Sequence, residues 1–252
     1  MSLSEAMILA AGRGERMRPL TDSCPKPLLK VQGKALIDWH VDALARGGFN
    51  RLVINTAWLG DMVSKHFSDQ NRLECYSSKN SLLSISYSDE ANDFGGALET
   101  AGGIARALPL LGEVFWVLAA DVFMPGFEFS QEVVEQFTAS NKLAHLWLVP
   151  NPAHNPHGDF GLSGQGLALN LPADSVAPRH TFSTIGLYRR ELFSSLPPGN
   201  PQGLKAPLAP LLRAAMDNQL VSAEPYLGAW TDVGTPARLA ELNQDTTQKT
   251  TD

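Results

Sequence analysis

The chain has 252 residues, 44% of them hydrophobic, so it can bury the core of one or two domains. It has a net charge of -6 and no basic block, which argues against a nucleic acid as partner. Its two cysteines, Cys24 and Cys75, form no metal-binding pattern and no disulfide framework. The sequence shows no secretory signal. It also has no apolar stretch of the ~20 residues that a membrane helix needs. These features predict a cytoplasmic protein that binds no membrane.

Strands and helices alternate along the first 150 residues. In chain order, the pattern predicts a strand at 6–10, an irregular loop at 11–27, a helix at 36–45, a strand at 51–55, a helix at 59–67, a strand at 83–87, a helix at 99–108, a strand at 114–119, a helix at 132–137 and a strand at 143–149. This alternation predicts an α/β fold with a Rossmann-like, doubly wound and mostly parallel sheet.

The pattern becomes less regular after residue 150. Short strands near 161–171 and 181–188 predict a small antiparallel insertion, and a helix is expected at 208–216. No internal repeat is visible. We therefore expect a single domain of residues 1–244, in two halves that divide near residue 121, and a disordered tail at 245–252.

The loop after the first strand carries two glycines in the sequence Ala10-Ala11-Gly12-Arg13-Gly14. A loop at this edge of an open α/β sheet is a usual ligand-binding position, and glycines let the backbone approach a phosphate. Met17 replaces the third glycine of a dinucleotide-binding motif, and no P-loop lysine follows. An ordinary turn is the alternative on the glycines alone.

Cations follow this loop closely. Arg16 and Arg18 come next, and Lys26 stands between two prolines. In an acidic protein, three cations beside a glycine-rich turn indicate an anion such as a phosphate. Solvated surface charges are the alternative.

These residues carry a specific resemblance. The run G-x-G-x-R-M-x-P-L-T, followed by P-K-P-L, is similar to the signature of the sugar-phosphate nucleotidylyltransferase family, and the resemblance extends to about Leu242. It implies the nucleotide-diphospho-sugar transferase fold and a reaction between a nucleoside triphosphate and a sugar 1-phosphate that releases pyrophosphate. It also implies that Arg16 and Lys26 are catalytic, that Ala10, Ala11, Gly12, Arg13 and Gly14 bind the nucleotide, and that the nucleotide-binding half precedes the sugar-binding half. One departure is Glu15, where the family usually has threonine.

A second segment, at 97–104, lies just before a predicted helix, and its small residues would leave backbone N–H groups free for a ligand. An ordinary helix start is the alternative. The segment resembles the family motif L-E-T-G-G-G, and the resemblance implies contacts from Glu99, Thr100, Gly102 and Gly103 to the nucleobase and ribose.

Two aspartates complete the resemblance. Asp121 follows the apolar strand 114–119, and Asp232 lies in W-T-D-V-G-T, which resembles the family motif W-x-D-x-G-T. The resemblance implies that both bind Mg²⁺, a cation that prefers oxygen ligands. The chain has Ala119-Ala120 where the family has G-G or N-G, and a turn-capping role for either aspartate is the alternative.

The sugar-binding residues are expected in the less regular half. The segments 155–160 and 181–186 resemble family segments that line the sugar pocket, which implies roles for Gly158, Asp159 and Thr184. The E-K-P motif of some relatives is absent, and Lys205 either replaces its phosphate-binding lysine or is a solvated loop lysine. His154, His157 and His180 lack metal-ligand spacing and are expected in exposed loops.

Within the family, the short form and the segments L-E-T-x-G-G and T-F-S-x-I most resemble the bacterial branch that transfers a uridylyl group to N-acetylmuramic acid 1-phosphate in peptidoglycan recycling. A mannose-1-phosphate guanylyltransferase, a non-catalytic sugar-nucleotide sensor and, more remotely, a Rossmann dehydrogenase are the alternatives. The sequence does not indicate an oligomeric state.

Overall fold

The computed structural model describes residues 4–68 and 82–244, so Cys75 and the tail predicted at 245–252 lie outside the described residues. Its strands are β1 Ser4–Leu9, β2 Lys30–Val31, β3 Lys34–Ala35, β4 Arg51–Thr56, β5 Ser84–Asp89, β6 Leu111–Ala119, β7 Val122–Phe123, β8 Ala144–Val149, β9 Phe160–Leu162, β10 Ala168–Leu169, β11 Arg179–Arg189, β12 Val221–Pro225 and β13 Thr231–Asp232. Its α-helices are α1 Leu20–Ser23, α2 Leu36–Arg46, α3 Gly60–His66, α4 Glu90–Phe94, α5 Glu99–Ala107, α6 Gln131–Ala139, α7 Leu208–Asp217 and α8 Pro236–Gln244.

The described residues form two compact units, each made of separate chain segments. Unit 1 contains residues 4–7, 98–118 and 130–228, and unit 2 contains residues 8–68, 82–97, 119–129 and 229–244. The boundary falls within β1 and β6, so these strands contribute residues to both units. A single domain divided near residue 121 remains a prediction.

In unit 2, β4 and β5 pair in parallel over their whole length, from Arg51 opposite Ser84 to Thr56 opposite Asp89. The buried face of α2 explains its amphipathic pattern, because Leu36, Ile37, Val41 and Leu44 are fully buried. Two short antiparallel pairs, β2 with β3 and β7 with β13, complete the unit.

A hydrophobic cluster in unit 2 packs beneath these short pairs. It consists of Met17, Leu29, Val31, Leu36, Phe123, Val233 and Leu239. Burial of Met17 and Val233 anchors the segments that carry Arg16 and Asp232, because each anchor is the next residue in the chain. The cluster therefore fixes the backbone beside two predicted site residues.

In unit 1, the long strand β11 is antiparallel to β6, β8 and β9, and β12 is parallel to β8. The ladder of β11 with β8 is irregular between Phe182 and Gly186. Within that irregularity Thr184 has φ +72°, a conformation that a β-branched residue rarely adopts.

The predicted α/β class is confirmed, with parallel pairs in both units and the short antiparallel strands β9 and β10 after residue 150. Each strand and helix predicted before residue 150 is present within three residues of its expected bounds. The hairpin of β2 and β3 was not predicted. Its two turn residues, Gln32 and Gly33, both have positive φ, and glutamine is not a usual signal for such a turn. Among the described residues, no helix combines the length and the apolar character needed to cross a membrane.

Candidate active site

The glycine loop of unit 2 leads from β1 into a short 3-10 helix, Glu15–Met17. Gly14 caps this helix with φ +68°, and a Cβ atom there would lie 3.0 Å from Thr21 and 3.4 Å from the Cβ of Lys26. A Cβ atom on Gly12 would meet nothing within 4 Å, and Gly12 is exposed. Gly14 thus serves the close packing of the loop, whereas the backbone at Gly12 is open to a ligand.

Arg13 connects the glycine loop to the residues that follow it. Its guanidinium donates to the Thr21 carbonyl at 2.9 Å and to Asp22 at 3.1 Å, and it lies 3.6 Å from the centroid of the Trp58 ring. The Trp58 indole N–H donates to the same Thr21 carbonyl at 2.9 Å. The hydrogen bond from Arg13 lowers the pKa of the Asp22 carboxyl below its usual value. The predicted contact of Arg13 with nucleotide therefore concerns its backbone, since its guanidinium is engaged within the protein.

Arg16 differs from the other two arginines of this loop. Arg13 and Arg18 both form ion pairs with Asp22, at 3.1 Å and 2.9 Å. Arg16 is exposed and has no ion pair with any residue of the described chain. An exposed guanidinium with all its donors available is suited to an incoming phosphate.

Lys26 and Asp121 meet directly. The lysine ammonium lies 2.6 Å from the Oδ2 atom of Asp121, and only 9% of the lysine side chain is exposed, against 39% for the aspartate. Lys26 begins a second 3-10 helix, Lys26–Leu28, with Pro25 as its N-cap. The prolines thus fix the backbone that directs this lysine to the carboxylate.

Asp121 and Asp232 lie on adjacent chain segments. Asp232 pairs with Val122 in the β7–β13 ladder, and the Val233 N–H donates to the Asp121 carbonyl at 2.9 Å. The structure thus brings together the two aspartates that the sequence assigns to a metal. Their hard oxygen donors fit Mg²⁺. Among the described residues, no group of three or more His, Cys, Asp or Glu side chains could hold a metal ion.

The sequence interpretation missed Arg238. Its Nη1 atom lies 2.8 Å from Oδ2 of Asp232, and Thr235 near the start of α8 accepts from its Nε at 3.4 Å. Gly234 permits this arrangement, because a Cβ atom there would lie 2.9 Å from both carboxylate oxygens of Asp232. The spacing D-x-G-T-x-x-R is the signal that marks this group in the sequence.

A buried polar connection behind the loop was also missed. The side-chain oxygen of Asn55, at the end of β4, accepts from the Ala10 N–H at 2.8 Å. The Asn55 amide donates to Glu90 at 2.6 Å, and all three residues are buried. A polar residue ending the apolar strand R-L-V-I-N was the available signal.

The predicted nucleobase segment lies in unit 1, within the first turns of α5. The expectation of free N–H groups is wrong for Ala101 and Gly102, which both donate to the Ala206 carbonyl, at 2.9 Å and 3.0 Å. Gly102 serves packing, because a Cβ atom there would lie 2.5 Å from the Leu204 carbonyl oxygen. Gly103 is buried and Thr100 half-buried, whereas Glu99 is exposed with φ +60°.

The predicted sugar-binding residues also belong to unit 1. Gly158 packs with φ +61° against the backbone of Arg179, and Asp159 accepts from the Phe182 N–H at 2.8 Å. The Oγ1 atom of Thr184 is buried without a hydrogen-bond partner. Lys205 is exposed in a loop.

The three histidines have different environments. His154 and His157 are exposed in a loop, as predicted. His180 lies within β11 and is half-buried, which corrects the prediction of an exposed loop position. The irregular composition around 170–178 concealed that a long strand begins at Arg179.

The chain matches the family model described as nucleotidyl transferase over residues 5–249. The chain belongs to the nucleotidyl transferase family. It is 46% identical over 249 residues to the N-acetylmuramate alpha-1-phosphate uridylyltransferase of Neisseria meningitidis serogroup B, covering 94% of this chain and 96% of the relative. It is 33% identical over 251 residues to the protein of the same name from Caulobacter vibrioides, covering 94% and 97%.

A solved structure is similar in fold to this nucleotidyl transferase. It is a putative glucose-1-phosphate thymidylyltransferase from Bacillus anthracis, with a TM-score of 0.74 and 21% identity, covering 96% of this chain and 94% of the other. The family model and the two relatives confirm the predicted membership of the sugar-1-phosphate nucleotidylyltransferases. The roles of the individual site residues remain predictions.

Proposed function

We propose that this nucleotidyl transferase makes UDP-N-acetylmuramic acid from UTP and N-acetylmuramic acid 1-phosphate, with release of pyrophosphate. The observation that carries the proposal is the similarity, over nearly the whole of both chains, to two relatives that bear this activity in their names. The cationic side chains and carboxylates of unit 2 support the proposal, since this reaction needs charge neutralisation rather than a protein nucleophile.

In the proposed reaction, an oxygen of the sugar phosphate attacks the α-phosphorus of UTP and pyrophosphate leaves with the bonding electrons. Arg16, which has no partner among the described residues, neutralises the negative charge that develops on pyrophosphate. Lys26 stabilises the charge between the donor and the attacking phosphate. The open backbone at Gly12 contributes N–H donors to the phosphates.

Mg²⁺ is the proposed cofactor, held by Asp121 and Asp232. Both supply carboxylate oxygens from adjacent segments of unit 2. When bound, Mg²⁺ supplies positive charge that orients the nucleotide phosphates and makes the α-phosphorus more electrophilic. The two aspartates would hold the cation.

Glu99, Thr100, Gly102 and Gly103 are proposed to contact the nucleobase and ribose, and Gly158, Asp159 and Thr184 the sugar. Lys205 is proposed to bind the sugar phosphate, which its exposed position permits. Lys205→Met then raises the KM for sugar phosphate and leaves the KM for UTP unchanged. An unchanged KM for both substrates would assign Lys205 to the solvated surface.

We also propose a cytoplasmic location and a role in peptidoglycan recycling, because UTP and a sugar phosphate are substrates of that compartment and the cysteines are sparse. The decisive experiment measures pyrophosphate release with Mg²⁺, crossing UTP and GTP with N-acetylmuramic acid 1-phosphate and mannose 1-phosphate. Turnover with UTP and the muramic sugar supports the proposal. Turnover only with GTP and mannose 1-phosphate replaces the substrates, and no turnover with any pair favours a non-catalytic sensor.

A further inference from the structure

Each of the two proposed metal-binding carboxylates is already paired with a cation of unit 2. Lys26 lies 2.6 Å from Asp121, and Arg238 lies 2.8 Å from Asp232. In both pairs the cation contacts the Oδ2 atom of a proposed metal-binding carboxylate. A divalent cation entering the nucleotide-free protein would therefore meet two positive charges at its own ligands.

These pairs are fixed by the fold. Lys26 is buried, and its backbone is fixed between two prolines. Arg238 is anchored by Thr235, and its side chain is only 18% exposed. Exposed ion pairs are held loosely and are screened by salt. These two pairs are partly shielded from solvent, and contacts near the backbone of each cation restrict its side chain.

We propose that Lys26 and Arg238 neutralise the two aspartates in the nucleotide-free enzyme, so that the divalent cation binds tightly only together with the nucleoside triphosphate. The inference rests on the proposed function for the assignment of Asp121 and Asp232 to the metal. The triphosphate compensates the charge of both cations and supplies further oxygen ligands, which removes the electrostatic opposition to the metal.

Arg238 is a positioning residue in this proposal, because it acts through Asp232. It holds the carboxylate in place while no nucleotide is bound, and Gly234 leaves room for both groups. Binding of metal and of nucleotide is then cooperative, and each strengthens the binding of the other by the same factor.

The test uses Mn²⁺, which also prefers oxygen ligands and is followed by electron paramagnetic resonance, on the full-length protein without sugar phosphate. We expect Arg238→Met to bind Mn²⁺ roughly tenfold more tightly than wild type in the absence of nucleotide, because one opposing charge is removed. Arg238→Lys keeps the charge and should bind Mn²⁺ as weakly as wild type. The matched control Arg18→Met, which removes an arginine from an ion pair with Asp22, should also leave Mn²⁺ affinity unchanged.

A second arm measures UTP and GTP binding to the wild type by equilibrium dialysis, with and without Mn²⁺. We expect Mn²⁺ to strengthen binding of the accepted nucleotide roughly tenfold or more. Unchanged or weaker Mn²⁺ binding by Arg238→Met overturns the proposal, as does nucleotide binding that is independent of Mn²⁺. If Arg238→Met fails to fold, Lys26→Met tests the same effect at Asp121. Neither arm uses the sugar phosphate, so a failure of the proposed substrates is seen separately in the pyrophosphate assay.

Discussion

The side-chain oxygen of Asn55 accepts a hydrogen bond of 2.8 Å from the backbone N–H of Ala10, at the point where β1 ends and the glycine loop begins. The Asn55 amide donates to the buried carboxyl group of Glu90 at 2.6 Å. One side chain thus connects the loop to α4 through the end of β4. This connection fixes the first residue of the proposed phosphate-binding loop.

Asn55→Ala should lower the free energy of unfolding by about 1–3 kcal/mol, because the Ala10 N–H and the Glu90 carboxyl both lose a buried partner. Urea denaturation measures the change, and kcat/KM should fall with it. Asn141→Ala, at an exposed position, is the control and should change stability by less than about 0.5 kcal/mol. Equal effects of the two substitutions would contradict a structural role for the Asn55 connection.

Arg16→Ala should lower kcat/KM by roughly 10²–10³ while the unfolding transition stays in place, because it removes a charge that acts on the leaving pyrophosphate. The control is Arg18→Ala, which removes an arginine from the same loop that is already paired with Asp22. Its effect should be less than about tenfold in rate, as expected for the loss of an exposed ion pair. Near-wild-type turnover by Arg16→Ala would remove Arg16 from the mechanism.

Asp121→Asn should reduce turnover to a small fraction of the wild-type rate, because an amide binds a divalent cation more weakly than a carboxylate does. The substitution also deprives the buried ammonium of Lys26 of its carboxylate. Initial rates are measured across a range of Mg²⁺ concentrations, with chelator as the zero point. Turnover that persists in chelator, or an unchanged Mg²⁺ dependence in the variant, would contradict the metal assignment.

His40 should make stability depend on pH. It is fully buried and donates from Nε2 to the Val122 carbonyl at 2.9 Å, and burial lowers the pKa of its imidazole from 6.5 to about 4. Below pH 6.5 the unfolded chain binds a proton at His40 that the folded protein does not bind. The contribution of His40 to the free energy of unfolding is therefore fully present above pH 6.5 and is lost as the pH falls towards 4. The decline attributable to His40 amounts to about 3 kcal/mol at pH 4.

The measurement compares unfolding of wild type and His40→Gln by urea between pH 4 and pH 7. Glutamine keeps a donor for the Val122 carbonyl and does not titrate in this range. The difference in unfolding free energy between the two proteins should therefore shift in favour of the variant as the pH falls. A difference that is constant across the range would show that His40 titrates equally in both states.

Thr184→Gly should separate stability from sugar binding. Glycine adopts φ +72° without strain, which offsets the entropy that glycine loses on folding, so the unfolding free energy should change by less than about 1 kcal/mol. The loss of the buried Oγ1, which has no partner in the structure, should raise the KM for sugar phosphate. Thr181→Gly, in the same strand at a regular position, is the destabilising control. A KM unchanged by Thr184→Gly would remove Thr184 from the sugar pocket.

The sequence predicts the elements of this protein well wherever hydrophobic periodicity is strong. The helix α2 and the strand β4 have nearly the predicted bounds, because their burial follows from local patterns. The strands β2 and β3 of the unpredicted hairpin are only two residues long each, which is too short for a periodic signal. The start of β11 was concealed by the irregular segment before it.

For the candidate site, the sequence alone determined the family and the chemical types of the site residues. Each of the motifs around Arg16, Lys26, Asp121 and Asp232 is a short continuous segment, so it can be identified from the order of neighbouring residues. Only the tertiary structure decided which of these charged side chains form ion pairs. It pairs Arg13 with Asp22, leaves Arg16 exposed, and pairs Lys26 with a carboxylate 95 positions away. Ion pairs between distant segments depend on which side chains the folded backbone brings within a few ångströms, and no periodicity or spacing in the chain records that distance.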